Sequence, residues 1–127
     1  MEHKFSFEKL NVWETARQLT KTIYIITNEQ FPDTEKFGLV SQMRRAAVSV
    51  CSNIAEGSSR TSTKDQAHLY QIAYSSLMEL LNQCIISNDL KYISETTLIE
   101  IRANVEKTGN MLNSLRKCCI NKQRPSK

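Results

Sequence analysis

Glycine and proline are scarce in this chain, with 3 and 2 among 127 residues. That scarcity excludes collagen-like, Gly/Ser-linker and mucin-like sequences. With so few residues to interrupt a regular backbone, long helices are the expected elements. Aromatic residues make up only 7%, so a core has to be built mainly from aliphatic side chains. Long apolar runs are also missing. Ile23-Tyr24-Ile25-Ile26 is typical of the longest, far short of the roughly 20 residues a transmembrane helix needs. The opening stretch Met1-Glu2-His3-Lys4-Phe5-Ser6-Phe7-Glu8 has no apolar segment of the secretory kind. A soluble, cytoplasmic protein with no membrane association is the expectation, and its thiols should be reduced.

Paired metal-ligand spacings are lacking too. The four cysteines stand at 51, 84, 118 and 119 with no Cys-x-x-Cys, and His3 and His68 are remote from any spaced cysteine pair. No zinc site is expected from that arrangement. Cys118 and Cys119 are adjacent, which disfavours a disulfide between them. Cys51, Cys84 and Cys119 fall on apolar stripes, where packing is their expected role. No P-loop, Gly-x-Gly-x-x-Gly or Gly-x-Ser-x-Gly string occurs, and neither histidine follows a glutamate by three, as a bundle-held di-iron site requires. Ser49, Ser75 and Ser76 have no histidine at helical spacing. The expectation is therefore no enzyme, no metal and no cofactor.

What is present is a globular composition, 40% hydrophobic and 24% charged, long enough for one domain with its own core. The net charge of +4 is unevenly spread. From Arg116 onward come Arg116, Lys117, Lys122, Arg124 and Lys127 with no acid. A second excess, Lys36, Arg44, Arg45, Arg60 and Lys64, is opposed by Glu56 alone. Such clusters either meet phosphate or form a solvated helix face.

Apolar spacing predicts four amphipathic helices. Val12, Ala16, Leu19, Ile23 and Ile26 recur at heptad-like intervals from about Phe7 to Gln30, and Phe31-Pro32 stops the run. Asp33 or Thr34 is expected to open a second helix with the seam Val40, Met43, Ala47, Val50 and Ile54, ending at Gly57 as a left-handed cap. Ser62, followed by Asp65, caps a third helix carrying Leu69, Ala73, Ser76, Leu80 and Cys84. Ser94 caps a fourth, with Leu98, Ile101, Val105, Thr108, Leu112, Leu115 and Cys119 in unbroken heptad register. Short connections then give an all-α, antiparallel up-down-up-down four-helix bundle over residues 1–121 and a flexible basic tail over 122–127.

Leu39, Ala46 and Val48 on the second helix, and Tyr70, Tyr74 and Leu81 on the third, lie outside the main stripes. They point to a further interface with copies of the same chain. Arg45, Ser49, Asn53 and Glu56 align on one face of the second helix. A recognition strip and a structural network tied to Ser76 or Glu79 are both open readings, and small neighbours favour the network.

Specific strings then resemble a known family. They are Phe7-x-x-Leu10-x-Val12-Trp13-x-x-Ala16, Phe31-Pro32-x-x-Glu35-x-Phe37-Gly38-Leu39, Gln42-Met43-Arg44-Arg45-Ala46-Ala47-Val48-Ser49-Val50-x-x-Asn53-Ile54-Ala55-Glu56-Gly57, and Ser76-x-x-Glu79-Leu80. They look like the 23S rRNA intervening-sequence proteins, also labelled S23 ribosomal proteins, over about residues 5 to 118. Ser75 replaces a usual glycine, and Leu81 a usual acid. The resemblance implies a four-helix bundle that assembles as a homopentamer, with no enzymatic activity, and a related branch that binds nucleic acid. Residues 45, 53, 56, 57, 76 and 79 carry the family motif, and structural or interface roles are expected for Arg45, Asn53, Glu56, Gly57, Ser76 and Glu79. Arg44, Arg60, Lys64, Arg116 and Lys117 are the candidate contacts to RNA or another nucleic acid. The competing expectation is a protein-interaction scaffold or accessory subunit that binds no nucleic acid.

Overall fold

The computed structural model describes residues 3–123. A 3₁₀ turn, Ser6–Lys9, leads into four α-helices: α1 Asn11–Gln30, α2 Leu39–Ser59, α3 Thr63–Asp89 and α4 Glu95–Gln123. A short 3₁₀ turn, Asp33–Glu35, lies between α1 and α2. No strand occurs among the described residues.

Each helix buries most of the stripe its spacing predicts, because residues three and four apart share one face, while the expected seam residues Leu69 and Leu115 are only half-buried. Val12, Ala16, Leu19, Ile23 and Ile26 of α1 meet Met43, Ala47, Val50 and Ile54 of α2, Leu77, Leu80 and Cys84 of α3, and Leu98, Ile101, Val105 and Leu112 of α4 in one core. Thr108, the polar seam position, is fully buried and donates its hydroxyl proton to Asn104 Oδ1 at 2.9 Å. Contacts between the helices fix their directions. Along α2, Met43, Ser49 and Gly57 meet Ser87, Ser76 and Tyr70 of α3 in turn. Thr20 and Thr27 of α1 reach Ala47 and Arg44 of α2. Cys119 and Gly109 of α4 lie against Gln66 and Tyr74 of α3. As one helix advances its neighbour recedes, so the bundle is antiparallel.

The helix ends depart from the sequence expectations in three places. α1 starts at Asn11 and not near Phe7. Leu10 is extended, and the segment before it is held as a 3₁₀ turn by a Phe5 N–H bond to Glu8 Oε1 at 3.0 Å and by the Phe7 ring edge-on to Trp13. α2 starts at Leu39 and not at Asp33 or Thr34. Gly38, at φ −106° and ψ −114°, bends the chain through a conformation that glycine adopts cheaply. The Glu35 carboxylate then accepts from the Leu39 N–H at 3.3 Å.

The third departure concerns Gly57. It is not a left-handed cap, since no glycine has a positive φ and α2 continues through it to Ser59. It is buried against the Tyr70 ring, where a side chain would collide. The left-handed residue is Lys91, at φ 65°. Tyr92 N–H donates to Ser87 O and Lys91 N–H to Asn88 O, both at 2.9 Å, closing α3 as a Schellman turn.

The wide apolar face expected on α2 and α3 is partly consumed inside the chain. Tyr70 is 3% exposed and Ala46 fully buried, whereas Val48 remains exposed. α4 reaches Gln123, past the boundary at 121, and the rest of the basic tail, 124–127, lies outside the described residues.

Ser62 does cap α3, its Oγ accepting from the Asp65 N–H at 3.3 Å. Ser62→Ala is expected to cost about 1 kcal/mol, measured as a shift in the urea midpoint with an unchanged slope. The Cys84 thiol, buried among apolar side chains, has its pKa pushed from 9.0 up to about 12, because burial penalises the thiolate. In the unfolded chain this thiol ionises near 9 while the folded protein still holds the proton, so the unfolded state binds fewer protons and stability falls as pH rises between those values. The thermal midpoint should therefore drop above pH 9, and Cys84→Ala should make that drop shallower.

Candidate nucleic-acid interface

The antiparallel order sorts charge that the linear sequence leaves mixed. α2 is 21 residues long, which separates its ends by about 30 Å. The cations from Lys36 to Lys64 therefore do not form one cluster. Lys36 sits beside the α1–α2 connection, and Arg60 and Lys64 flank the α2–α3 connection at the opposite end.

At that opposite end, Gln66 links two distant parts of the chain. Its Nε2 donates to the Arg60 carbonyl at 2.9 Å, and its Oε1 accepts from Cys119 Sγ at 3.6 Å. The last turns of α4 are thereby brought to the α2–α3 connection. Arg60 and Lys64 come to share one end of the bundle with Arg116, Lys117 and Lys122, and the chain's start adds Lys4 and Lys9. The acids there are Glu8, Glu14, Glu56 and Asp65, with Glu14 paired to Arg17 at 3.3 Å. Arg60, Lys64, Lys117 and Lys122 are exposed, and half-buried Arg116 is steadied by a bond to Asn113 Oδ1 at 3.1 Å. His68, exposed on α3, lines a shallow depression with Arg60, Asp65 and Leu69.

The other end has the reverse character. Tyr92, between α3 and α4, donates its hydroxyl proton to Glu35 Oε2 at 3.0 Å and packs its ring against Phe31. This contact joins the α1–α2 and α3–α4 connections. Glu29, Asp33, Glu35, Asp89, Glu95 and Glu100 collect there against Lys36 and Lys91. The bundle is thus basic at one end and acidic at the other.

Arg44 does not reach the basic end. Its Nε donates to Thr27 Oγ1 at 3.0 Å, and its guanidinium lies 4.6 Å over the Tyr24 ring centroid. It is held between α1 and α2 by a hydrogen bond and a cation–π contact.

The motif residues gather on the α2–α3 seam. Arg45 forms an ion pair with Glu79 and bonds Gln42 Oε1 at 3.0 Å. The Ser49 and Ser76 hydroxyls share a hydrogen bond at 2.9 Å, and Asn53 Nδ2 donates to Ser49 O at 2.9 Å and to its Oγ at 3.1 Å. This is a network within one chain. Glu56 stays outside it, with an exposed side chain. Gln83 donates to Glu79 at 3.4 Å while its own Oε1 is buried with no partner. Sequence reasoning missed Gln83, because a glutamine at one helical position carries no sign of burial. Among the described residues no group of three His, Cys, Asp or Glu side chains converges as a metal site would, and no helix is long and apolar enough to cross a membrane.

The family model for the 23S rRNA-intervening sequence protein matches residues 8–114. The chain belongs to that family. The matched span of this intervening-sequence protein takes in the Arg44–Gly57 string, the α2–α3 network and Arg60 and Lys64. Arg116, Lys117 and Lys122 lie beyond it. A solved structure of similar fold is a protein with unknown function from the S23 ribosomal protein family of Bacteroides thetaiotaomicron. It aligns at a TM-score of 0.77 with 19% identity, over 84% of this chain and 98% of that one. At that identity the likeness establishes the fold alone. No curated protein matches the chain.

Proposed function

We propose that this intervening-sequence family member is a non-catalytic, self-assembling bundle that contacts RNA or another nucleic acid through its basic end. The observation that carries the reading is the convergence of Arg60 and Lys64 with Arg116, Lys117 and Lys122. Residues more than 50 positions apart in sequence form one cationic surface, on which the cations outnumber the neighbouring acids, while the far end carries the acidic excess. Cationic side chains at the rim of a rigid body suit phosphate, which is bound by charge and without base readout. Self-assembly would present several such ends in the same direction, so weak contacts would add as avidity. The family resemblance favours a ring of five.

A salt titration of RNA retention tests the reading. Retention at about 50 mM salt that falls steeply toward 200 mM is the expected behaviour. If the chain retains no RNA at low salt, and a pull-down yields the same partners before and after nuclease, the protein-scaffold reading replaces this one. Sedimentation of the purified protein tests assembly separately.

A further inference from the structure

The depression at the basic end holds an acid that phosphate binding does not explain. Arg60, Asp65, His68 and Leu69 line about 240 Å³ there, room for one flat ring and less than a drug-sized ligand fills. Of the four acids at this end, Glu8 bonds the Phe5 N–H and Glu14 pairs with Arg17. Glu56 and Asp65 have no such partner among the described residues, and Asp65 lines the depression. Its backbone N–H serves the Ser62 cap, which leaves the carboxylate over. A bare carboxylate on a cationic surface weakens phosphate binding, unless it accepts from the ligand itself.

The walls of the depression are held in place. The Arg60 N–H donates to Gly57 O at 3.2 Å, and the Arg60 carbonyl accepts from Gln66 at 2.9 Å. His68 and Leu69 follow Asp65 by three and four residues on the first turns of α3, so the three share a face. Leu69 is half-buried, which leaves apolar surface in the depression, and His68 is exposed beside it. No hydrogen bond or ion pair among the described residues engages the side chain of Arg60, Asp65 or His68.

We propose that this depression takes an unpaired guanine base of a single-stranded nucleic acid. The inference rests on the basic-end reading and adds base selectivity to it, since phosphate contacts carry no sequence information. An ionised carboxylate only accepts, so the base it selects must present donors. Guanine presents two adjacent ones, N1–H and its exocyclic amine, which match the two oxygens of Asp65. Adenine and cytosine set an acceptor beside their amine, and uracil sets carbonyls on both sides of its N–H. Leu69 and His68 offer apolar contact and stacking to the ring. Arg60 and Lys64 keep the flanking phosphates. In a duplex the donor edge of guanine is already used, so the ligand has to be unpaired.

The test uses the full chain and an unstructured RNA strand of about 12 nucleotides that carries one guanosine, against the same strand with adenosine in its place. The wild type should bind the guanosine strand roughly tenfold more tightly. Asp65→Asn should abolish that preference, with melting showing the variant folded. Asp89→Asn makes the same change in net charge at the far end and should keep it. Pairing each strand with its complement should also abolish the preference. The same two sequences as deoxy strands distinguish an RNA ligand from a DNA one, because the base edge is common to both. If the wild type binds both RNA strands alike and Asp65→Asn tightens both, the acid is only a weakness in a phosphate surface, and the base site is overturned while the basic end stands. A preference that survives Asp65→Asn, or a loss on both strands alike, overturns it too. A wild type that retains neither strand at low salt sinks the basic-end reading itself.

Discussion

Gly57→Val should lower the thermal midpoint of this protein by roughly 10 °C. Helix propensity alone predicts the opposite sign for a small side chain here, since alanine is better than glycine in a helix interior by about 1 kcal/mol. The tertiary contact reverses it. A Cβ at position 57 would stand 2.6 Å from Tyr70 Cε1 and 3.0 Å from its Cδ1. The ring cannot swing away freely, because Tyr70 is only 3% exposed and packed in the core. Forcing valine into that space is overpacking, which costs about 1–3 kcal/mol. Gly57→Ala should be destabilising by less. The double change Gly57→Ala with Tyr70→Leu should lose less stability than the two single changes added together, because removing the ring relieves the collision. A Gly57→Ala protein that melts above the wild type would show that α2 and α3 are not locked at this contact.

Charge reversal at the basic end should have the largest effect on function. The triple variant Arg60→Glu, Lys64→Glu and Lys117→Glu removes three exposed cations that sit on three different segments. If each neutralises one phosphate, the variant should bind RNA more weakly by about two to three orders of magnitude near 0.1 M salt. The slope of log affinity against log salt should become shallower by about 2.7. All three positions are on the surface, so melting should hardly change. The matching control reverses charge at the other end, with Asp89→Lys and Glu95→Lys, and is expected to leave retention unchanged, where a general response to net charge would strengthen it. Equal RNA affinity in the triple variant and the wild type, over the whole salt range, would remove the basic end from consideration. The control also separates a local site from a general response to net charge, since it changes net charge in the opposite direction at a distance of one bundle length.

The sequence carried the four helices because burial in a bundle repeats with the period of the helix. Val12, Ala16, Leu19, Ile23 and Ile26, or Leu98 through Leu112, need only their spacing to declare a buried face. Two caps, Ser62 and Ser94, were also legible, since a hydroxyl three residues before a free N–H is a local device, and the Ser94 Oγ does accept from the Thr97 N–H at 3.1 Å. Position 57 misled because glycine is the usual left-handed cap, yet here its missing side chain serves a neighbour in space. Lys91 took the left-handed position instead, where residue type gave no signal.

The order and faces of the four rods, the resemblance to the intervening-sequence family and the presence of two basic runs were therefore determined by the sequence alone. They depend on periodicity and local hydrogen bonding, which a linear chain displays. Which cations meet was decided only by the tertiary structure. Antiparallel packing carries Lys36 about 30 Å from Arg60 along α2 and brings Arg116 and Lys117 alongside it through Gln66 and Cys119. The pairing of Arg45 with Glu79, the seating of Gly57 on Tyr70 and the exposure of Phe37 belong to the same class. Each is a distance between residues far apart in sequence, and such distances exist only once the helices have packed.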